Sequence, residues 1–206
     1  MMGSARMSDI MTRPIKALLT SGALVALAGC VNLGGDLPDS LLTLTAAPAS
    51  AESSPNTSGA ALGALAVAPI QAPARLDVAR VPVTVSDTEI AYLKDAVWVE
   101  KPARLFRRLV AETIRTGTGR VVIDGDVPSV ATSDRLHGTL REFGYDARSS
   151  SAIVVFDAIR KDADGQIKSQ RFESRVSGVS AEVEDVSSAL NQAANDVAGQ
   201  VANWIG

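Results

Sequence analysis

From Val183 to Trp204 the apolar side chains Val183, Val186, Leu190, Ala193, Val197, Val201 and Trp204 return at three- and four-residue steps. That spacing predicts an α-helix of about six turns with one apolar stripe. The opposite positions are Ser, Asn, Gln and Asp. A stripe this long must be buried, so the rest of the chain has to supply a surface for it. The polar face carries no Lys or Arg, which argues against a bilayer surface as that cover.

The required surface reads as a sheet just upstream. Residues 135–145, 152–160 and 167–176 are three antiparallel strand candidates. Ser149-Ser150-Ser151 and Asp162-Ala163-Asp164-Gly165 supply the two hairpin connections. In the first strand Leu136 and Leu140 share one parity while Phe143 and Tyr145 take the other, so a bulge is expected near Arg141-Glu142.

Further upstream a second helix begins at Pro102. Its face Leu105, Phe106, Leu109, Val110 and Ile114 opposes Arg104, Arg107, Arg108 and Glu112, and Gly117 and Gly119 end it. Residues 121–123 follow as a strand stopped at Asp124-Gly125. Before that helix come strand candidates at 41–45, 62–70, 81–85 and 89–99, the last leading to Trp98. Pro82 lacks an amide hydrogen and predicts an edge position for its strand. Residues 46–60, rich in Ala, Ser and Pro, read as a mobile loop. The expectation is a single layered α+β domain over 39–206, with a mostly antiparallel sheet and two main helices packed on it.

The N-terminus has a different character. Arg13 and Lys16 precede an uncharged, mainly apolar stretch at 17–28, too short for a permanent membrane span. It closes on Leu27-Ala28-Gly29-Cys30, which resembles a lipobox. Residues 1–29 are then a lipoprotein signal peptide, with Met11 its expected start, and residues 30–38 a lipidated tether. The competing reading is an ordinary signal peptide with a chance cysteine. Lipidation requires a thiol, because the diacylglyceryl group is attached to Cys30 as a thioether. The palmitoylated residue would fix the chain to a membrane. Val31 stands where an aspartate would favour inner-membrane retention, which points to the periplasmic face of the outer membrane.

Cys30 is the one cysteine, so an intramolecular disulfide cannot form. Cleavage after Gly29 removes Arg6, Arg13, Lys16 and Asp9, leaving 17 Lys+Arg against 22 Asp+Glu, a formal charge of −5. An acidic domain argues against a nucleic-acid partner.

Parts for catalysis are scarce. His137 is the one histidine, and Gly178-Val179-Ser180 lacks the second glycine of a nucleophile elbow. One His and no free Cys argue against a zinc site. Gly117-Thr118-Gly119 follows a helix and precedes a strand, the reverse of a phosphate loop. Arg160 and Arg171 stand where a calcium loop at 162–165 would need acids. The alternation Arg171, Glu173, Arg175 reads as a solvated sheet face, with a lipid- or partner-binding patch as the lesser reading. No enzyme, metal or cofactor is expected.

Residues 65–123 resemble the ABC-type transport auxiliary lipoproteins (PqiC-like). The resemblance rests on Leu42-Thr43-Leu44, the segment Val67 to Asp77 ending in Leu76-Asp77, the valine-rich 81–85, Trp98-Val99-Glu100-Lys101-Pro102, and Ala189-Leu190-Asn191-Gln192-Ala193. Leu42 and Ala74-Arg75 stand where the family commonly has tyrosines. The resemblance implies a non-enzymatic docking or conduit component of a lipid transport system. Its partners would be a periplasmic MCE-domain protein with an ABC permease and ATPase, and self-association is left open. The candidate partner-binding residues it implies are Leu76, Asp77, Trp98 and Glu100. Against that stand Trp98 as a core aromatic and Leu76-Asp77 as a turn. Two other functions remain in view: a periplasmic carrier with its own apolar lipid cavity, and a structural lipoprotein of outer-membrane assembly.

Overall fold

One long strand organises the sheet. The computed structural model describes residues 40–48, 63–125 and 132–206. Cys30, the signal at 1–29, the tether at 30–38 and most of the loop at 46–60 lie outside the described residues. In chain order the elements are β1 (Leu65–Val67), a 3-10 turn (Ala74–Leu76), β2 (Arg80–Thr84), β3 (Ile90–Val97), α1 (Pro102–Thr118), β4 (Val122–Asp124), β5 (Asp134–Asp146), β6 (Ser151–Lys161), β7 (Ile167–Ser177) and α2 (Val183–Ile205). This is a single α+β domain with a seven-stranded mixed sheet.

β5 pairs antiparallel with β6, and β6 with β7, along almost their whole lengths. On its other side β5 meets two short parallel partners: β1 at Asp134–Leu136 and β2 at Tyr145–Asp146. Between them the Gln71 amide donates to the Gly138 carbonyl, and the Leu140 amide to the Gln71 carbonyl. The chain from β1 to β2 is thus one interrupted run beside β5, with residues 72–79 looped out of it. β4 pairs parallel with β1, and β3 antiparallel with β2.

The register of β5 and β6 slips between Leu140 and Glu142, which places the expected bulge at Arg141. The extra residue switches parity, so Leu136, Leu140, Phe143 and Tyr145 all reach the core side. The edge position expected from Pro82 is corrected: β2 lies between β3 and β5. The proline fits because the ladder to β5 starts only at Val83 and the ladder to β3 shifts register between Arg80 and Pro82. Gly144 completes the fit, since a Cβ there would come within 2.5 Å of the Pro82 carbonyl oxygen. The strand expected at 41–45 reduces to a single bridge between Leu42 and Trp98.

Both helices cover one face of the sheet. Phe106 of α1 meets Phe156 of β6 edge-on at 5.2 Å, and Trp204 of α2 meets Phe172 of β7 at 5.6 Å. The buried stripe of α2 includes Ala189, Ala193, Ala194, Ala198 and Ala202, wider than a one-sided contact needs. It is wide because α2 packs on the sheet and on α1 together, and small residues let the helices approach. α1 runs through Gly117 and stops at Gly119, which adopts φ 66° as a left-handed cap.

The polar face of α2 is not all solvated. Asn191 Oδ1 accepts from the Thr45 amide at 2.9 Å, and Asn195 Oδ1 from the Ala47 amide at 2.7 Å. Asn195 also donates to the Thr45 carbonyl. Two asparagines one turn apart therefore hold the N-terminal segment as a neighbouring strand would.

A buried ion trio closes the opposite end of α2. Asp134 accepts from Arg120 at 2.6 Å and from Arg160 at 2.9 and 3.1 Å, and Arg160 also donates to the Ile205 carbonyl. Burial pushes the Asp134 pKa up, but the bonds and charges of the two arginines outweigh it and hold it below the ordinary value. A carboxylate so depressed contributes full stability above its unfolded pKa and loses it as pH falls through the folded value. Asp134→Asn should therefore cost about 3–5 kcal/mol at neutral pH and flatten the loss of stability as pH falls through and below the ordinary carboxylate range, measured by urea unfolding. A second pair tests the packing. Gly138→Ala, whose Cβ would sit 2.6 Å from the Asp157 carbonyl and against the Phe156 ring, should lose about 1–3 kcal/mol. Gly199→Ala, in open space on α2, should gain about 0.5–1 kcal/mol in the same assay.

Candidate functional site

The loop at residues 72–79, pushed out between β1 and β2, faces the start of α1 across a groove. Leu76 is fully buried and anchors the loop. Asp77 follows at the end of the 3-10 turn, where its carboxylate accepts from Lys101 Nζ at 2.8 Å. Lys101 immediately precedes Pro102, whose fixed φ and missing amide hydrogen suit the first helical position.

The groove has a volume of about 510 Å³. Pro69, Ile70 and Ala72 form an apolar wall, and Lys101, Arg104, Arg107 and Arg108 line it from α1. Three of these cations are held. Lys101 pairs with Asp77, Arg107 with Asp124 at 3.0 Å, and Arg108 grips both oxygens of Glu100 at 2.6 and 2.9 Å. Arg104 is exposed and has no acidic partner among the described residues.

The residues singled out in the sequence therefore divide. Asp77 lines the groove, and Glu100 orients one of its arginines. Leu76 and Trp98 lie beneath the surface. Trp98 is 1 % exposed, stacks edge-on against Phe143 at 5.5 Å, and its indole N–H has no acceptor among the described residues. The spacing of the α1 arginines predicts only a solvated helix side, and nothing in it shows that the loop after β1 would close a groove over them. The visible signal was their number: α1 carries Arg104, Arg107, Arg108 and Arg115 against one acid, Glu112.

The far face of the sheet carries a second charged cluster. Asp157 on β6 accepts from Arg171 on β7 at 2.6 and 2.9 Å and from Arg141 on β5 at 2.8 Å. The Arg171 hydrogen bonds lead in pushing its pKa down to about 2. Every charge here has a protein partner across neighbouring strands, so the cluster stitches register and leaves little for a ligand. His137 is exposed on the same strand system.

Two solved structures share this fold. One is an uncharacterized protein at 17 % identity and TM-score 0.61, covering 69 % of this chain and 92 % of its own. The other is a protein of Xanthomonas campestris at 18 % and 0.63, covering 80 % and 92 %. A PelC subunit from a Paraburkholderia phytofirmans dodecamer is more distant, at 16 % identity and TM-score 0.41, over 77 % of this chain and 94 % of its own. No curated protein matches the sequence. The class is thus that of α+β domains with a mixed sheet covered on one face by two helices. More narrowly, the chain belongs to the ABC-type transport auxiliary lipoprotein component family, whose model matches residues 42–202. Among the described residues no helix is long and apolar enough to cross a membrane.

If Trp98 serves the core and Glu100 the surface, their substitutions separate cleanly. Trp98→Ala should cost about 3–5 kcal/mol in urea unfolding followed by circular dichroism. Glu100→Gln should cost less than about 1 kcal/mol, because its pair with Arg108 is half exposed to water.

Proposed function

We propose that this chain is the membrane-anchored, non-enzymatic auxiliary component of an MCE-type ABC lipid transport system, held at the periplasmic face of the outer membrane by lipid on Cys30. The observation that carries the reading is the extent of the family match. It runs from Leu42, which bridges to Trp98, to Ala202 in the last turn of α2, and so takes in every element of the domain.

The anchor supports the same placement. Leu42 is hydrogen-bonded to Val97 and Val99, and the asparagines of α2 hold residues 45–47, so the chain enters the domain at a fixed point. From Cys30 to Ser40 an extended chain spans at most about 35 Å. The domain then works close to its bilayer, with exposed Leu41 and Val99 at the end where the tether arrives. Partners would meet it there or at the groove, where Asp77 and Glu100 set the charge pattern. Leu76 and Trp98 would act by shaping these surfaces from below.

Two experiments test this. Cys30→Ala should fold yet leave the membrane fraction; a variant that remains bound after signal removal refutes the anchor. Crosslinking of the native lipoprotein in intact cells should recover an MCE-domain protein or its permease and ATPase. Recovery of none of them, together with an intact permeability barrier on deletion, counts against the transport role.

A further inference from the structure

We infer that the groove beside α1 is a binding site for a phosphate-bearing anion, centred on Arg104, which has no acidic partner among the described residues. The inference goes beyond the transport role and rests on the groove alone. Arg104 lies three residues from Lys101 and from Arg107 and four from Arg108, spacings that bring like charges together on a helix at a cost. Each of those neighbours has a carboxylate; Arg104 has none among the described residues. The first turn of α1 contains no acid, and its N-cap Lys101 makes no side-chain cap, so the positive end of the helix dipole is not offset there. A site with one cation in excess has formed in a domain whose mature charge is −5.

The geometry favours phosphate over other anions. Guanidinium groups present planar pairs of donors that match phosphate oxygens, and Arg107 and Arg108 are already oriented by Asp124 and Glu100. The volume of about 510 Å³ is in the range of small-ligand clefts. The wall of Pro69, Ile70 and Ala72 offers apolar contact to the glycerol of a headgroup, while free phosphate would use the cations only. Both sources share the recognised group.

The test is calorimetric titration of the full-length lipoprotein in a non-ionic detergent. The probes are inorganic phosphate, glycerophosphoglycerol (the deacylated phosphatidylglycerol headgroup) and acetate. Saturable binding of at least one phosphate is expected, with acetate weaker. Arg104→Ala should weaken it about tenfold or more, the worth of one charge-assisted contact. Arg104→Lys should retain part of the affinity. Arg175→Ala, an exposed arginine on the far edge strand, should leave it unchanged. Tighter binding of glycerophosphoglycerol assigns the site to lipid headgroups, and tighter binding of inorganic phosphate assigns it to the free ion. The inference is overturned if neither phosphate binds, if acetate binds as tightly, or if Arg104→Ala binds like the wild type with its unfolding midpoint preserved.

Discussion

Asp134 holds together four parts of the chain that sequence separates widely. Through Arg120 it secures the turn after α1, through Arg160 the end of β6, and through Arg160 again the last carbonyl of α2. Its own backbone opens β5 against β1. A carboxylate in this position is costly to bury, and two guanidinium groups offset the cost only when all four elements are in place. The trio therefore works as a positional device. It sets where α2 ends on the sheet, and thereby which of its turns meets the N-terminal segment.

The elements themselves were readable where periodicity was strong. The antiparallel strands β5, β6 and β7 and both helices fall within a residue or two of the boundaries their patterns predict, and the bulge at Arg141 was visible as a change of parity. What could not be read was pairing. β1, β2 and β4 are short and find parallel partners far along the chain, which no local signal encodes. Pro82 misled for a physical reason: a missing amide hydrogen predicts an edge only if the neighbouring ladder needs it, and here Gly144 and a register shift remove the need. Asn191 and Asn195 misled in the opposite sense. On a helical wheel they belong to the solvent face, yet an extended segment more than a hundred residues upstream occupies that face.

The same distinction explains how much of the groove was legible. Asp77 and Glu100 were noticed because they belong to short motifs flanking buried anchors, Leu76 and Trp98. The anchors fix the backbone; the acids beside them orient Lys101 and Arg108. Motif and groove are therefore two views of one construction, in which the buried residue of each pair supplies rigidity and the exposed one supplies charge. Arg104 belongs to neither motif. Its significance depends on a count of partners in three dimensions, and a sequence cannot make that count.

The arrangement has a consequence for orientation. Leu42 bridges to Trp98, and Trp98 lies three residues before Lys101, which lines the groove. The strand that receives Leu42 thus runs directly into the helix that carries the arginines. Leu42 is held there by hydrogen bonds to Val97 and Val99, a few residues before the start of α1. Were the chain anchored as proposed through Cys30, the cationic start of α1 would lie at a distance from the bilayer limited by the length of residues 30–38. An acidic domain would otherwise be repelled by an anionic membrane. Under that proposal the arginines of α1 would be the surface that meets anionic lipid, with the acidic remainder held away.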